Sequence, residues 1–126
     1  MNIKRILIID DEVNFGRLVK LNLELTGGFK VSTATNGRQG IELAKKIKPD
    51  LILLDILMPE MDGFETLKRL KKDKDTAEIP VVMLTAKGDE ASMAKVMQLC
   101  GELYITKPIE SSELKAKIEG VLKGKG

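Results

Sequence analysis

The amino-acid sequence predicts an α/β fold: a doubly wound parallel sheet of five strands with five helices on its two faces. Two observations carry most of this. The runs Ile6-Leu7-Ile8-Ile9 and Leu51-Ile52-Leu53-Leu54 are unbroken and apolar, as strands buried on both faces must be. Each ends abruptly in carboxylates, Asp10-Asp11-Glu12 after the first and Asp55 after the second. A third observation fixes the connectivity: strand-like runs alternate along the chain with helix-period segments, a pattern that right-handed crossovers convert into a parallel sheet.

In chain order, the Ile6 strand is followed by a helix pattern with Phe15, Leu18, Val19 and Leu25 on its apolar face, stopped by Gly27-Gly28. Leu21 and Leu23 widen that arc beyond what one sheet needs, which makes part of the helix a candidate contact for a partner, although wide arcs are usually core. Phe29, Val31 and Thr33 alternate with polar neighbours, the period of a half-exposed strand at a sheet edge. Asn36 and Gln39 stand at capping-box spacing before a helix whose face is Gly40, Leu43, Ala44 and Ile47, ended by Pro49. The Asp55 strand and its loop lead to a third helix through Phe64, Leu67 and Leu70. Ile79 to Leu84 forms the fourth strand, with Pro80 at its first position, where the missing donor is tolerated. A fourth helix is expected from Asp89 to Cys100, a fifth strand at Leu103-Tyr104-Ile105, and a last helix from about Glu110 that buries Leu114, Ile118, Val121 and Leu122.

The chain of 126 residues suits one domain, expected to span 1–126 with its core at about 4–123. No apolar run reaches the length of a membrane span, and Met1 to Arg5 lacks the apolar core of a secretory signal, so a cytoplasmic location is expected. Cys100 is the one cysteine and there is no histidine, which excludes an internal disulfide, Ser-His-Asp triads and histidine-based metal sites. The net charge of +2 is dispersed and there is one Tyr and no Trp, so direct nucleic-acid binding is not expected.

In an open parallel sheet the strand ends share one edge, where ligands bind. This topology delivers Asp10, Asp11, Asp55, Thr85 and Lys107 to that edge. Clustered carboxylates repel unless a cation compensates, and an all-oxygen set suits a hard ion such as Mg²⁺. An ammonium and a hydroxyl are what the remaining oxygens of a phosphoryl group require. A carboxylate can itself be the nucleophile. The edge therefore reads as a metal-assisted phosphoryl acceptor. Taken singly, each residue has an ordinary structural role: the acids at a helix N-terminus, Thr85 in a strand, Lys107 as a surface charge and Tyr104 in the core.

Ile9-Asp10-Asp11-Glu12, Leu54-Asp55 with Met58-Pro59 and Asp62-Gly63, Leu84-Thr85-Ala86, and Tyr104-Ile105-Thr106-Lys107-Pro108 together resemble the receiver domain of two-component response regulators, over about Lys4 to Lys123. The resemblance implies the flavodoxin-like strand order 2-1-3-4-5. It implies Asp55 as phosphoacceptor, Asp11 and Asp55 as direct Mg²⁺ ligands with Mn²⁺ as an alternative ion, Asp10 acting through water, and a ligand from the Leu57 carbonyl. Lys107 would contact the phosphoryl group, with a cis peptide bond to Pro108. Thr85 and Tyr104 would switch on phosphorylation and repack the surface of the fourth helix, fifth strand and fifth helix. A sensor histidine kinase or phosphotransfer protein is the implied donor, with a downstream protein target, in a monomer or a phosphorylation-dependent dimer. The implied activity is that of a switch and not of an enzyme beyond its own phosphorylation and dephosphorylation.

Leu57 and Lys87 flank the site and depart from the family's polar examples. Leu57 offers attacking water no hydrogen bond and Lys87 is placed to pair with the phosphoryl group, so slow self-dephosphorylation is expected. Leu99-Cys100-Gly101-Glu102-Leu103 stands where the family usually has Ala-Gly-Ala-Asp-Asp, read as a packing change. The alternatives are a small metal-dependent phosphatase-like enzyme and a degenerate receiver used only for docking. The first lacks an Asp-x-Asp after the first strand and room for a cap; the intact Asp11, Asp55, Thr85 and Lys107 oppose the second. Whether the domain is a stand-alone shuttle or a piece of a longer regulator is left open.

Overall fold

The structure, a computed structural model, describes residues 3–86, 103–107 and 110–125. Five strands form one parallel sheet: β1 (Lys4–Ile9), β2 (Phe29–Ala34), β3 (Leu51–Asp55), β4 (Val81–Ala86) and β5 (Leu103–Lys107), in the order β2-β1-β3-β4-β5. Four helices lie among the described residues: α1 (Val13–Leu25), α2 (Gly37–Ile47), α3 (Gly63–Lys72) and α4 (Ser111–Lys125). The helix expected from Asp89 to Cys100, together with Lys87 and Pro108, lies outside the described residues.

Strand alternation sorts the core into two layers. Leu7, Ile9, Ile52, Leu54, Val81 and Met83 pack with Ala44 of α2 and Phe64, Leu67 and Leu70 of α3. Ile6, Ile8, Leu51, Leu53, Val82, Leu84 and Ile105 pack with Val19 and Leu23 of α1 and Leu114 and Ile118 of α4. Every residue of β3 is buried, which accounts for its unbroken apolar sequence.

β2 lies at an edge, as its alternating sequence indicates, and that edge is closed locally by side chains. Gly28 and Ala34 give their carbonyls to Lys4 and Asp10 of the β1 side, so by alternation the main-chain groups of Val31 face outward. There the Val31 N–H donates to Glu24 at 2.9 Å, and Lys20 donates to the Val31 carbonyl at 2.8 Å.

One expectation fails. Leu18 and Leu25, assigned to the core face of the first helix, are exposed, and Leu25 is 75% accessible. The residues that α1 buries are Gly16, Val19 and Leu23. At 100° per residue these three fall within about 60° of arc, while Leu18, Leu21 and Leu25 gather on the opposite side. The sequence carries two apolar stripes, and the one with Gly16, Val19 and Leu23 is the one packed on the sheet.

Helix ends follow the capping chemistry. Asn36 accepts from the Gln39 N–H at 2.8 Å, and Gln39 reaches back to the Thr35 N–H at 2.9 Å, one residue before the expected partner. Asp62 caps α3 by accepting from the Glu65 N–H at 2.9 Å. Gly27 and Gly28, at φ 78° and 89°, turn the chain out of α1.

Candidate functional site at the carboxyl edge of the sheet

The register sets the site. Ile9 pairs with Leu54, so Asp10 and Asp11 leave β1 where β3 ends in Asp55. Asp55 pairs with Leu84, which places Thr85 one residue further along the same edge, and Ala86 pairs with Lys107. Asp10, Asp55 and Lys107 share the parity of Ile8, Leu53 and Ile105, and so belong to the sheet face covered by α1 and α4.

Asp55 and Asp10 are 6% and 2% accessible, whereas Asp11 is exposed. One carboxylate oxygen from each of the three lies within 4.8 Å of the others. This donor set is hard, anionic and clustered, and fits a Mg²⁺ ion, which favours oxygen ligands and tolerates retained waters. Asp11, exposed at the rim, leaves a coordination path open to solvent. Leu57 is 62% accessible, two residues beyond Asp55.

Lys107 joins the cluster from the opposite end of the chain. Its ammonium donates to Asp10 at 2.7 Å and to Glu12 at 2.8 Å, and stands 3.7 Å from Asp55 Oδ1. The ring of Phe15 lies beneath it, 4.3 Å from the nitrogen to the ring centre. Burial is the largest influence on Asp55 and, with repulsion from Asp10, pushes its pKa up to about 7 despite the opposing charge of Lys107. Burial works to lower the Lys107 pKa, but hydrogen bonds to Asp10 and Glu12 outweigh it and the net direction is upward.

The loop after Asp55 is held close. The Gly63 N–H donates to the Ile56 carbonyl at 2.8 Å, and a Cβ at Gly63 would come within 2.3 Å of the Asp55 carbonyl oxygen. Only glycine fits there, which explains the Asp62-Gly63 pair in the sequence. Glu60 sits in the left-handed region at φ 65° within the same loop. Tyr104 is partly buried against the core layer on the α2 and α3 side. The side chain of Thr85 lies outside what the structure describes.

The structure thus gathers Asp10, Asp11, Asp55 and Lys107 at one edge and leaves Tyr104 on the far face of the sheet. Two neighbours of Lys107 carry no signal for this in the sequence. Glu12 reads as the third acid of a run, and Phe15 as one more residue of an apolar helix face; nothing local announces a partner 95 residues away.

A doubly wound parallel sheet with a carboxylate cluster and one lysine at its carboxyl edge defines a class of α/β protein whose ligand edge is anionic and cation-seeking. Residues 6–119 match the family model for the response regulator receiver domain. The chain is 41% identical over 119 residues to the DNA-binding dual master transcriptional regulator RpaA of Synechocystis, covering 94% of this chain and 49% of that protein. It is 40% identical to the phosphate regulon transcriptional regulatory protein PhoB of Pseudomonas aeruginosa, over 98% of this chain and 53% of that one. Among solved structures, a putative response regulator from Chloroflexus aurantiacus superposes with a TM-score of 0.90 at 29% identity, covering 97% of this chain and 99% of that one. Chemotaxis protein CheY4 of Vibrio cholerae superposes with a TM-score of 0.88 at 26% identity, covering 94% and 98%. The chain belongs to the response regulator receiver family of two-component signalling. It spans about half the length of these curated relatives. No helix among the described residues is long and apolar enough to cross a membrane.

Proposed function

We propose that this chain is a phosphorylation-activated switch, a single receiver domain over 1–126 that accepts a phosphoryl group on Asp55 from a sensor histidine kinase or phosphotransfer protein. The observation that carries the reading is a buried carboxylate at the end of the central strand, set between two further aspartates and the ammonium of Lys107. Asp11, Asp55 and the Leu57 carbonyl, with Asp10 through a water, would hold a Mg²⁺ ion, which would supply positive charge against the incoming phosphoryl oxygens. An oxygen of Asp55 forms the new bond to phosphorus as the donor's bond to phosphorus breaks, and the leaving atom takes up a proton from solvent. Lys107 neutralises one phosphoryl oxygen and the Thr85 hydroxyl donates to another. Tyr104 then turns inward, and the surface it leaves changes its affinity for a downstream protein.

The only substrate of this chemistry is the chain's own Asp55, so the protein acts as a switch and not as a turnover enzyme. Its setting is the cytoplasm. The output follows from partner binding and not from direct contact of this domain with nucleic acid, in a monomer or in a dimer formed on phosphorylation. Leu57 and Lys87 favour a long phosphoryl lifetime; Leu57→Asn with Lys87→Glu is expected to shorten it, and an unchanged lifetime would remove those two positions from the account.

The test is intact mass after incubation with acetyl phosphate and Mg²⁺. A gain of one phosphoryl group that is lost in Asp55→Asn and without metal is the expected result. No gain while Mg²⁺ binds, with both acetyl phosphate and a phosphorylated kinase as donor, would overturn the reading.

A further inference from the structure

We propose that Glu12 and Phe15 form a resting dock for the Lys107 ammonium and that Glu12 is a positioning residue which, by competing for that ammonium, sets how fast Asp55 is phosphorylated. The inference rests on the reading of Asp55 as phosphoacceptor.

Four observations converge. The ammonium gives its hydrogen bonds to Asp10, at 2.7 Å, and Glu12, at 2.8 Å, and stands 3.7 Å from Asp55, so in this state it pairs with the acceptor without a hydrogen bond to it. It lies 4.3 Å above the Phe15 ring, whose negative face favours a cation. Glu12 is the N-cap of α1 yet makes no side-chain cap, its carboxylate being turned toward Lys107. Its backbone is fixed by the Asp10 carboxylate, which accepts from the Glu12 N–H at 2.9 Å. Asp10, Glu12 and Phe15, from the β1 to α1 connection and the first turn of α1, therefore surround one ammonium.

Lys107 is 16% accessible and the Glu12 side chain 64%, so one partner is shielded while the other is open to solvent. A pair of this kind is held weakly enough to exchange and strongly enough to bias the lysine. A phosphoryl group at Asp55 must draw the ammonium out of this dock. Glu12 also adds negative charge near an acceptor that anionic donors must approach. Both effects slow phosphorylation, and both disappear when the carboxylate is neutralised.

The test compares wild type, Glu12→Gln, which keeps the shape and an acceptor oxygen but removes the charge, and Phe15→Leu, which keeps apolar packing but removes the ring. The first readout needs no metal: the Lys107 ammonium resonance in ¹⁵N NMR of the metal-free protein, expected to shift and broaden in both variants. The second is the rate of phosphoryl gain from acetyl phosphate with Mg²⁺, expected to rise about three- to tenfold in Glu12→Gln at low salt. That difference should shrink as salt is raised toward 1 M, where the screening length falls to about 3 Å; a difference wholly independent of salt is a packing effect and overturns the proposal. An unchanged ammonium resonance, or a Glu12→Gln rate equal to or below wild type, overturns it as well while leaving Asp55 as acceptor. Failure of wild type itself to gain a phosphoryl group from any donor instead defeats the underlying reading and carries the rate control with it, even if the resonance moves as expected.

Discussion

Burial and the Asp10 carboxylate raise the Asp55 pKa from its ordinary 3.8 to about 7, and this makes stability depend on pH in a direction unusual for an aspartate. The folded state holds the Asp55 proton more tightly than the unfolded chain. Between about pH 4 and pH 7 stability from this group therefore falls as pH rises, and above pH 7 the loss is complete. Asp55→Asn removes the ionisation while keeping the shape. In the metal-free protein this variant should melt higher than wild type at pH 8 and alike at pH 4; equal melting at both values would show that the charge is not strained. At this scale much was readable: Asp10, Asp11, Asp55 and Lys107 follow from strand ends alone. The roles of Glu12 and Phe15 were not, because a contact between the two ends of the chain depends on register, which no local pattern encodes.

The elements differ in how firmly their neighbours constrain them. Gly63 opens α3 with the Asp55 backbone where a methyl group would lie, and Gly120 of α4 faces open space. Gly63→Ala should cost about 1–3 kcal/mol, since backbone and not a flexible side chain must give way. Gly120→Ala should instead raise stability by about 0.5–1 kcal/mol, through helix propensity alone. Chemical denaturation of the two variants distinguishes them by sign. The helix signals in the sequence located all four described helices, and the cap at Asn36 falls where the spacing placed it, whereas the cap at Asp62 emerged only in the structure. The inner face of α1 emerged only in part, Phe15 and Val19 being placed correctly and Leu18 and Leu25 not. Leucines on both sides give a broad apolar arc whose phase is decided by tertiary contact with β2. Replacing Leu18, Leu21 and Leu25 by Gln should each change stability by no more than about 0.5 kcal/mol, as for any exposed site; a larger loss would return them to the core.

Across the whole molecule, the fold and the site are tied by one strain. The sheet edge that concentrates carboxylates is destabilised by them, and a divalent cation bound there would relieve it. Mg²⁺ should raise the melting temperature at pH 8, by about 2.7 kcal/mol of stability at a hundredfold excess over its dissociation constant. The gain should shrink toward pH 5 as Asp55 takes up its proton and should be reduced in Asp55→Asn. Equal gains at both pH values in wild type would place the ion elsewhere. The architecture was legible because β1 and β3 carry continuous apolar runs that only a doubly covered sheet can bury. The strand order was not, since periodicity says which strands are central or marginal but not who sits beside whom; it came with the family resemblance.

An open sheet has rims that invite growth, one strand recruiting the next from another molecule. On the β2 rim, Val31 already has its donor and its acceptor occupied by Glu24 and Lys20. A visiting strand would have to evict two charged side chains before it formed its first rung there. Concentrated or partly unfolded samples of this protein should accordingly resist fibre growth through that rim, and Lys20→Ala with Glu24→Ala should shorten the lag before thioflavin-positive aggregates form. An unchanged lag would mean that the gate lies elsewhere.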